Sequence, residues 1–110
     1  MSQISALGSL SALAQESRLE VFRLLVQAGD SGLPAGAIAQ RLNLPASSLS
    51  FHLNNLAQGQ LVTTKREGRS IIYFANFDQM RGLVAYLLEN CCSGECGPDI
   101  SSLLEKDAVL

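Results

Sequence analysis

Hydrophobic residues recur at helical spacing through the first third of the chain. In residues 4–13 and 16–28 they fall every three or four positions, as on one face of an amphipathic helix. Gly29 follows the second stretch, at the position where a glycine commonly ends a helix. In the first stretch the apolar stripe consists of Ile4, Leu7, Leu10 and Leu13, and in the second Leu19, Phe22, Leu25 and Val26 line one face. The pattern therefore predicts two helices before residue 30.

The middle of the chain predicts a short helix, a tight turn and a longer helix. Pro34 suits the first turn of a helix that runs to about Leu42, with Ile38 and Leu42 facing inward. The segment 43–45 forms the turn, and the longer helix covers residues 46–58. The longer helix is defined by Leu49, Leu53 and Leu56 on its inward face and by Gly59 after its end.

The hydrophobic period changes after this helix. Residues 61–76 are rich in β-branched and aromatic side chains, and Glu67-Gly68 interrupts them, which predicts a two-stranded hairpin. Helical spacing returns at Asn76, which forms a capping-box pattern with Gln79. The last helix is expected to run to Asn90. Its apolar stripe consists of Met80, Leu83, Val84, Leu87 and Leu88.

The size and composition favour one small domain that associates with a second copy. The 110 residues suffice for a single core, which we place in residues 1–90, with a tail at 91–110. Hydrophobic residues make up 47% and charged residues only 16%, so the chain has more apolar surface than a monomer readily hides. A homodimer is expected. The longest apolar runs are far too short to cross a membrane, and the N-terminus lacks the features of a secretory signal.

The charge is unevenly distributed, and this changes the expected partner. The net charge of −2 argues at first against a nucleic acid. Residues 31–76, however, carry Arg41, Lys65, Arg66 and Arg69 against Glu67, a net of +3. Polyanion binding depends on the local patch more than on the total charge. The basic middle of the chain is therefore consistent with a nucleic-acid partner.

The predicted order of elements is that of a winged helix-turn-helix. In that architecture the helix at 46–58 enters the major groove of double-stranded DNA, and the hairpin forms the wing. Hydroxyls and amides can bind base edges and phosphates, an exposed phenylalanine can contact a thymine methyl, and wing cations can bind phosphates. The candidate DNA-binding residues are Ser47, Ser48, Ser50, Phe51, His52, Asn55, Lys65, Arg66 and Arg69.

Each of these features also has a purely structural explanation. Serines at a helix start often serve as caps, a basic hairpin tip is often a solvated turn, and a single histidine often only packs. The order and spacing of all the elements together are much more specific, and they predict DNA binding. Enzyme activity is not expected, because the chain has no C-x-x-C pair, no phosphatase-type cysteine loop and no histidine close to a cysteine in sequence.

Residues 16–76 resemble the ArsR/SmtB family of metal-responsive bacterial repressors. The resemblance rests on ESRLEVFRLL, LPASSLSFHLNNLAQGQLV and the wing sequence KREGRSIIYF. It implies a dimer that pairs through its first and last helices, which agrees with the apolar stripes predicted there. Family members often carry an E-L-C-V-C-D-L type motif, but the matching stretch here, residues 32–40, has no cysteine. The zinc and nickel members use Asp, His and Glu on the last helix, whereas the only histidine here is His52.

The three cysteines of the chain, Cys91, Cys92 and Cys96, lie together just after the last predicted helix. The resemblance is to a variant group of arsenic repressors whose thiols lie at the end of the dimerisation helix. Thiolates favour soft, thiophilic ions. Trivalent arsenic or antimony takes three sulfurs in a pyramid, whereas zinc requires four ligands, and only Glu95 or water stands near as a fourth. The glycines at 94 and 97 would let the backbone fold so that the three thiols converge.

The sequence therefore predicts a cytoplasmic, homodimeric repressor that leaves its operator when As(III), and also Sb(III), binds the three thiolates. Thiols kept for chemistry fit a reducing compartment. A disulfide redox switch requires only two of the thiols and remains open, as do a zinc-responsive repressor and a metalloid storage protein. No organic cofactor is expected.

Overall fold

The structure is a computed structural model, and it describes residues 1–91. Five α-helices, one short 3-10 helix (Gly29–Ser31) and a three-stranded antiparallel sheet form the described part of the chain, with the sheet order β1-β3-β2. The architecture is mainly α with a small β component, as the sequence predicts. The elements are α1 (Gln3–Leu13), α2 (Glu16–Ala28), β1 (Leu33–Pro34), α3 (Ala35–Leu42), α4 (Ala46–Gln58), β2 (Val62–Glu67), β3 (Ser70–Ala75) and α5 (Phe77–Leu87).

The short strand β1 differs from the prediction, which assigned Pro34 to the first turn of a helix. Pro34 instead caps α3 in an extended conformation, and it lies opposite Ile72 in the sheet. A proline fits such an edge strand, because a missing N–H costs nothing where no partner strand follows. The preceding Gly32 has a φ of +60°, and a Cβ there would lie 2.6 Å from both Phe74 Cε1 and the Tyr73 carbonyl. Only a glycine therefore fits at position 32, just before β1.

One core joins the helices to the base of the hairpin. The leucines of α4 are all buried, as predicted, and they pack with α2, α3 and the hairpin. The buried face of α2 is rotated relative to the predicted apolar face, because Val21 is fully buried while Leu19 and Val26 are 44% and 38% exposed. The largest fully buried apolar side chains are Val21, Leu25, Ile38, Leu49, Leu56 and Leu61.

The hairpin turn is two residues long, and it lies one position later than predicted. Glu67 pairs with Ser70, so the turn consists of Gly68 and Arg69. Gly68 has a φ of +61°, as the first central residue of a type II′ turn requires. This turn suits the right-handed twist of paired strands, and it leaves Arg69 at the tip of the wing.

The last helix is shorter than predicted at its C-terminal end. It finishes at Leu87 rather than Asn90, and Asn90 has a left-handed φ of +60°. At its start, Asn76 accepts a hydrogen bond from the Gln79 N–H at 3.3 Å, which is the predicted half of the capping box. The Gln79 side chain does not return this bond, because it reaches Ser5 and Ser9 of α1 instead.

No helix within residues 1–91 combines the length and apolar character needed to cross a membrane.

Gly59, predicted to end α4, must be a glycine because there is no room for a side chain. Its backbone conformation is ordinary. Its φ is −78°, an ordinary value, but a Cβ there would lie 2.7 Å from the Cβ of Ala12 and 3.0 Å from the Gly8 carbonyl. The end of α4 therefore touches the backbone of α1 directly. The left-handed residue is the next one, Gln60, with a φ of +63°.

Replacing Gly59 with alanine is expected to lower the free energy of unfolding by about 1–3 kcal/mol, because the added methyl overpacks this contact. Urea unfolding at a fixed protein concentration measures the change. The matched control is Gly36→Ala in α3, where a Cβ meets nothing within 4 Å. That control should leave stability equal or raise it by up to about 1 kcal/mol. Equal stability of Gly59→Ala and wild type would contradict the tight contact.

Candidate nucleic-acid interface

The chain turns sharply between α3 and α4. Asn43 ends α3 in a left-handed conformation, with φ 54° and ψ 48°, and its N–H returns to the Ala39 carbonyl. Pro45 then caps α4 in an extended conformation. The three residues 43–45 thus connect two helices that both pack on α2. This is a helix-turn-helix, with α4 as the recognition helix.

The outward face of α4 is centred on Phe51, which is 61% exposed. At 100° per residue, Ser47, Phe51 and Asn54 all lie within about 50° of the direction opposite the buried leucines. All three are exposed, as is Ser50 on the flank of this face. Asn54 is absent from the predicted set, although its spacing of three from Phe51 could have identified it.

Three of the predicted contact residues lie closer to the protein body. Ser48, His52 and Asn55 are all half-buried. The Asn55 side-chain amide donates to the Phe51 carbonyl at 2.9 Å, so one of its donors is used within the helix. His52 stacks edge-on to Phe51 at 5.9 Å between ring centroids, and its buried Nδ1 has no hydrogen-bond partner in the described part of the chain. Their role in DNA binding stays a prediction, and the exposed face is the better candidate surface.

The wing presents three exposed cations. Lys65 and Arg66 are consecutive on β2, so their side chains leave opposite faces of the hairpin, and Arg69 lies in the turn. Within residues 1–91 the only ion pair joins Arg81 to Asp78 on α5. No carboxylate of the described chain forms an ion pair with the wing cations, so these side chains are available to bind phosphates.

Of the predicted thiol cluster, the structure describes only the first residue, Cys91. Cys91 is half-buried, and its N–H donates to the Leu88 carbonyl at 2.9 Å, just after the left-handed Asn90. It therefore lies outside the regular helix. Cys92 and Cys96 lie outside the described residues. Within residues 1–91 no three His, Cys, Asp or Glu side chains group as a metal site would require.

Comparison with known proteins agrees with this architecture. The sequence model of a helix-turn-helix domain family matches residues 13–65. The nodulation protein NolR of Rhizobium meliloti is 33% identical over 104 residues, which cover 94% of this chain and 79% of NolR. The transcriptional activator HlyU of Vibrio cholerae is 31% identical over 83 residues, covering 76% of this chain and 74% of HlyU.

Solved structures extend the likeness to three dimensions. The structure of Vibrio cholerae HlyU superposes with a TM-score of 0.65 at 30% identity, covering 84% of this chain and 99% of HlyU. A homodimeric winged helix-turn-helix DNA-binding domain from Mycobacterium bovis, described as a possible ArsR-family regulator, has a TM-score of 0.64 at 26% identity. It covers 86% of this chain and 88% of that domain.

The chain belongs to the ArsR/SmtB family. It is a transcriptional regulator with a DNA-binding helix-turn-helix, and its relatives are regulators rather than enzymes. Both the predicted family and the predicted winged helix-turn-helix are thus confirmed. The names of the relatives differ widely, from a nodulation protein to an activator, so membership of the ArsR/SmtB family does not by itself identify the inducer.

The outward face of the recognition helix yields a prediction about specificity in this ArsR/SmtB protein. Replacing Phe51 with alanine is expected to change the ranking of operator variants, because loss of an apolar contact to a thymine methyl costs about 1–3 kcal/mol at that base pair only. Replacing the half-buried Ser48 with alanine should change the ranking less. Competition binding on a set of single-base operator variants measures both.

The matched control is Gln27→Ala, an exposed polar residue on α2, which should leave the ranking and the affinity unchanged. A uniform loss of affinity with Phe51→Ala across all operator variants would mean that Phe51 positions the helix and does not contact a specific base.

Proposed function

We propose that this ArsR/SmtB protein is a homodimeric transcriptional repressor that trivalent arsenic, and also antimony, releases from operator DNA. The observation that carries the proposal is the position of its cysteines. All three lie within six residues, beginning four residues after the helix that this family is expected to use for dimerisation. Residues 1–90 form the DNA-binding and dimerisation domain in this proposal, and the tail at 91–110 supplies the sensor.

The chemistry of the donors favours a soft metalloid. Three thiolates match the three-coordinate pyramid of As(III) or Sb(III), whereas zinc would require a fourth ligand. The backbone geometry before the tail supports convergence of the thiols. Asn90 turns the chain out of the helical path, so Cys91 is not held on the surface of α5. A reducing compartment, the cytoplasm, keeps these thiols available.

The exposed apolar side chains support the proposed homodimer. On α1, Ile4 is 84% exposed and Leu7 is 57% exposed, although both belong to the predicted helical stripe. Leu87 near the end of α5 is also 57% exposed. Side chains of this size are more often buried, and a second copy packed along α1 and α5 would cover them.

Inducer binding then acts through the difference between two states. Arsenic can weaken DNA binding only by its differential affinity for the free and the operator-bound dimer, about 1–3 kcal/mol or 5–150-fold in allosteric proteins. The thiol cluster begins four residues after the end of α5, so a rearrangement of the thiols on binding arsenic would act on a dimerisation helix. By reciprocity, operator DNA should weaken arsenic binding by the same factor.

Fluorescence anisotropy of the protein on operator DNA, titrated with arsenite under reducing conditions, tests the proposal. The operator is obtained by selection of bound duplexes from a random-sequence pool. Release at about one equivalent of arsenite per subunit supports the proposed sensor. Tight binding that ignores arsenite and antimonite would leave an ArsR/SmtB regulator but overturn the proposed inducer.

A thiol-redox repressor is the second candidate, and one observation favours it. HlyU of Vibrio cholerae, 30% identical to this chain over the compared structure, has also been solved in a form described as reduced. Two of Cys91, Cys92 and Cys96 would suffice for a disulfide switch. Release of operator DNA by peroxide, without any metalloid and reversed by a thiol reductant, would favour this alternative.

A further inference from the structure

The exit of the recognition helix is held by residues from the two helices proposed to form the dimer. Three consecutive carbonyls follow α4, those of Gly59, Gln60 and Leu61, and each accepts a hydrogen bond from α1 or from the start of α5. The donors are the Ser9 hydroxyl to Gly59 at 2.8 Å, the Asn76 side-chain amide to Gln60 at 2.8 Å, and the Asn76 N–H to Leu61 at 2.8 Å. We call Ser9, Asn76 and Gln79 the exit clamp.

Gln79 closes the clamp by joining α5 to α1. Its Nε2 donates to the Ser9 hydroxyl at 3.0 Å and to the Ser5 hydroxyl at 3.1 Å, which uses both of its protons. Ser9 is fully buried, so it accepts from α5 and donates to the end of α4 without access to water. Leaving a buried partner unsatisfied costs about 1–3 kcal/mol, so this chain of bonds resists opening.

The last carbonyls of α4 are satisfied within the same segment, because the N–H groups of Gly59, Gln60 and Leu61 return to the carbonyls of Asn55, Ala57 and Leu56. Gln60 has the left-handed φ typical of such a helix end, so the clamp acts on the carbonyls that follow the helix. Here the residues just after α4 are bonded to α1 and α5, while the missing Cβ of Gly59 lets the backbone of α1 lie against them. The position of the recognition helix is therefore set relative to the helices of the proposed dimer.

We infer that Ser9, Asn76 and Gln79 are positioning residues for operator recognition, which fix the angle of the recognition helix to the dimerisation helices. The inference rests on the homodimer of the proposed function and not on its inducer. Two recognition helices must match half-sites about one helical turn apart. A rigid link between each recognition helix and the dimer makes the protein reject other spacings. A loosened link lets the two recognition helices adapt to other half-site spacings.

The dependence of operator affinity on half-site spacing can be measured, and a general loss of stability would not change it. The operator selected from a random pool is remade with one base pair added to or removed from its centre. Wild-type protein is expected to bind these spacing variants about tenfold more weakly or worse, a loss comparable with one mismatched base pair. The ratio of the two affinities, rather than either affinity alone, is the measured quantity.

Two clamp variants and one matched control complete the experiment. Gln79→Met removes both donors at similar volume, and Asn76→Asp keeps a good helix cap but removes the donor to Gln60. In each, the spacing ratio is expected to fall to about threefold or less, because a spacing change then costs less than a mismatch. The control Ser5→Ala removes one acceptor of Gln79 that has no bond to α4, and its ratio should equal that of wild type.

Folded dimers are confirmed by sedimentation and thermal unfolding before binding is measured. Should Gln79→Met fail to fold, Asn76→Asp decides the question by itself. A clamp variant that folds and keeps the wild-type ratio overturns the inference, and so does a wild-type protein without spacing preference. Arsenite is absent throughout, so an incorrect inducer assignment would leave this result unaffected.

Discussion

Replacing Cys96 with serine is expected to abolish release from the operator by arsenite while leaving DNA binding intact. In the proposed site, As(III) is held by three thiolates, and a serine hydroxyl is a hard donor that does not replace a soft thiolate. Wild-type protein should lose about 5–150-fold in operator affinity when arsenite is bound. In Cys96→Ser this factor should fall to about one. Anisotropy titrations with and without arsenite, under reducing conditions, measure both factors.

Two controls make this result specific to the thiols. Ser93→Ala changes the same tail without removing a thiol, so it should respond to arsenite like wild type. Cys91→Ser should behave like Cys96→Ser, because each removes one of the three ligands. Loss of operator binding by Cys96→Ser in the absence of arsenite would instead indicate a structural role for the tail. A full arsenite response in Cys96→Ser would reject the three-thiolate site and leave at most a two-thiol site.

Replacing Lys65, Arg66 and Arg69 together with glutamine is expected to weaken DNA binding for all sequences and to flatten its salt dependence. Each phosphate contact contributes about −0.9 to the slope of log affinity against log salt. If all three cations of both protomers contact phosphates, the slope should change by about 5. Anisotropy titrations between 50 and 200 mM salt, a range in which such proteins lose several decades of affinity, measure it.

The hairpin geometry sharpens this prediction. Lys65 and Arg66 leave opposite faces of β2, so they reach the phosphates of both strands only if the wing enters a groove edge-on. In that case the single variants Lys65→Gln and Arg66→Gln should change the slope equally. The control Arg23→Gln removes an exposed cation of α2, outside the wing, and should change the slope little. An unchanged slope in the triple variant would remove the wing from the DNA interface.

The helix-turn-helix could be predicted because its signals are local. Leu49, Leu53 and Leu56 repeat at the helical period, and Pro45 with Asn43 marks the turn between the two helices. These features depend on backbone preferences and on burial of one face, so they are the same however the helices pack together. The wing was predictable for the same reason, since Gly68 permits the tight turn and β-branched residues flank it.

The errors occur where a distant segment decides the outcome. Strand β1 has only two residues, too few for any hydrophobic period, and it forms because Tyr73 and Ile72 are available at the edge of β3. Gln79 has the spacing of a capping box, but the serines of α1 offer its side chain better partners. The shifted inward face of α2 likewise depends on neighbours that its own sequence does not reveal.

The sequence by itself determined the family, the order of the helices and the hairpin, and the grouping of three thiols after the last helix, because periodicity, turn residues and motifs act between near neighbours in the chain. Only the tertiary structure decided which face of α4 is exposed, why Gly59 must be glycine, and how Ser9, Asn76 and Gln79 bond the segment that follows α4. Those contacts join residues up to 70 positions apart, and such contacts exist only once the helices have packed.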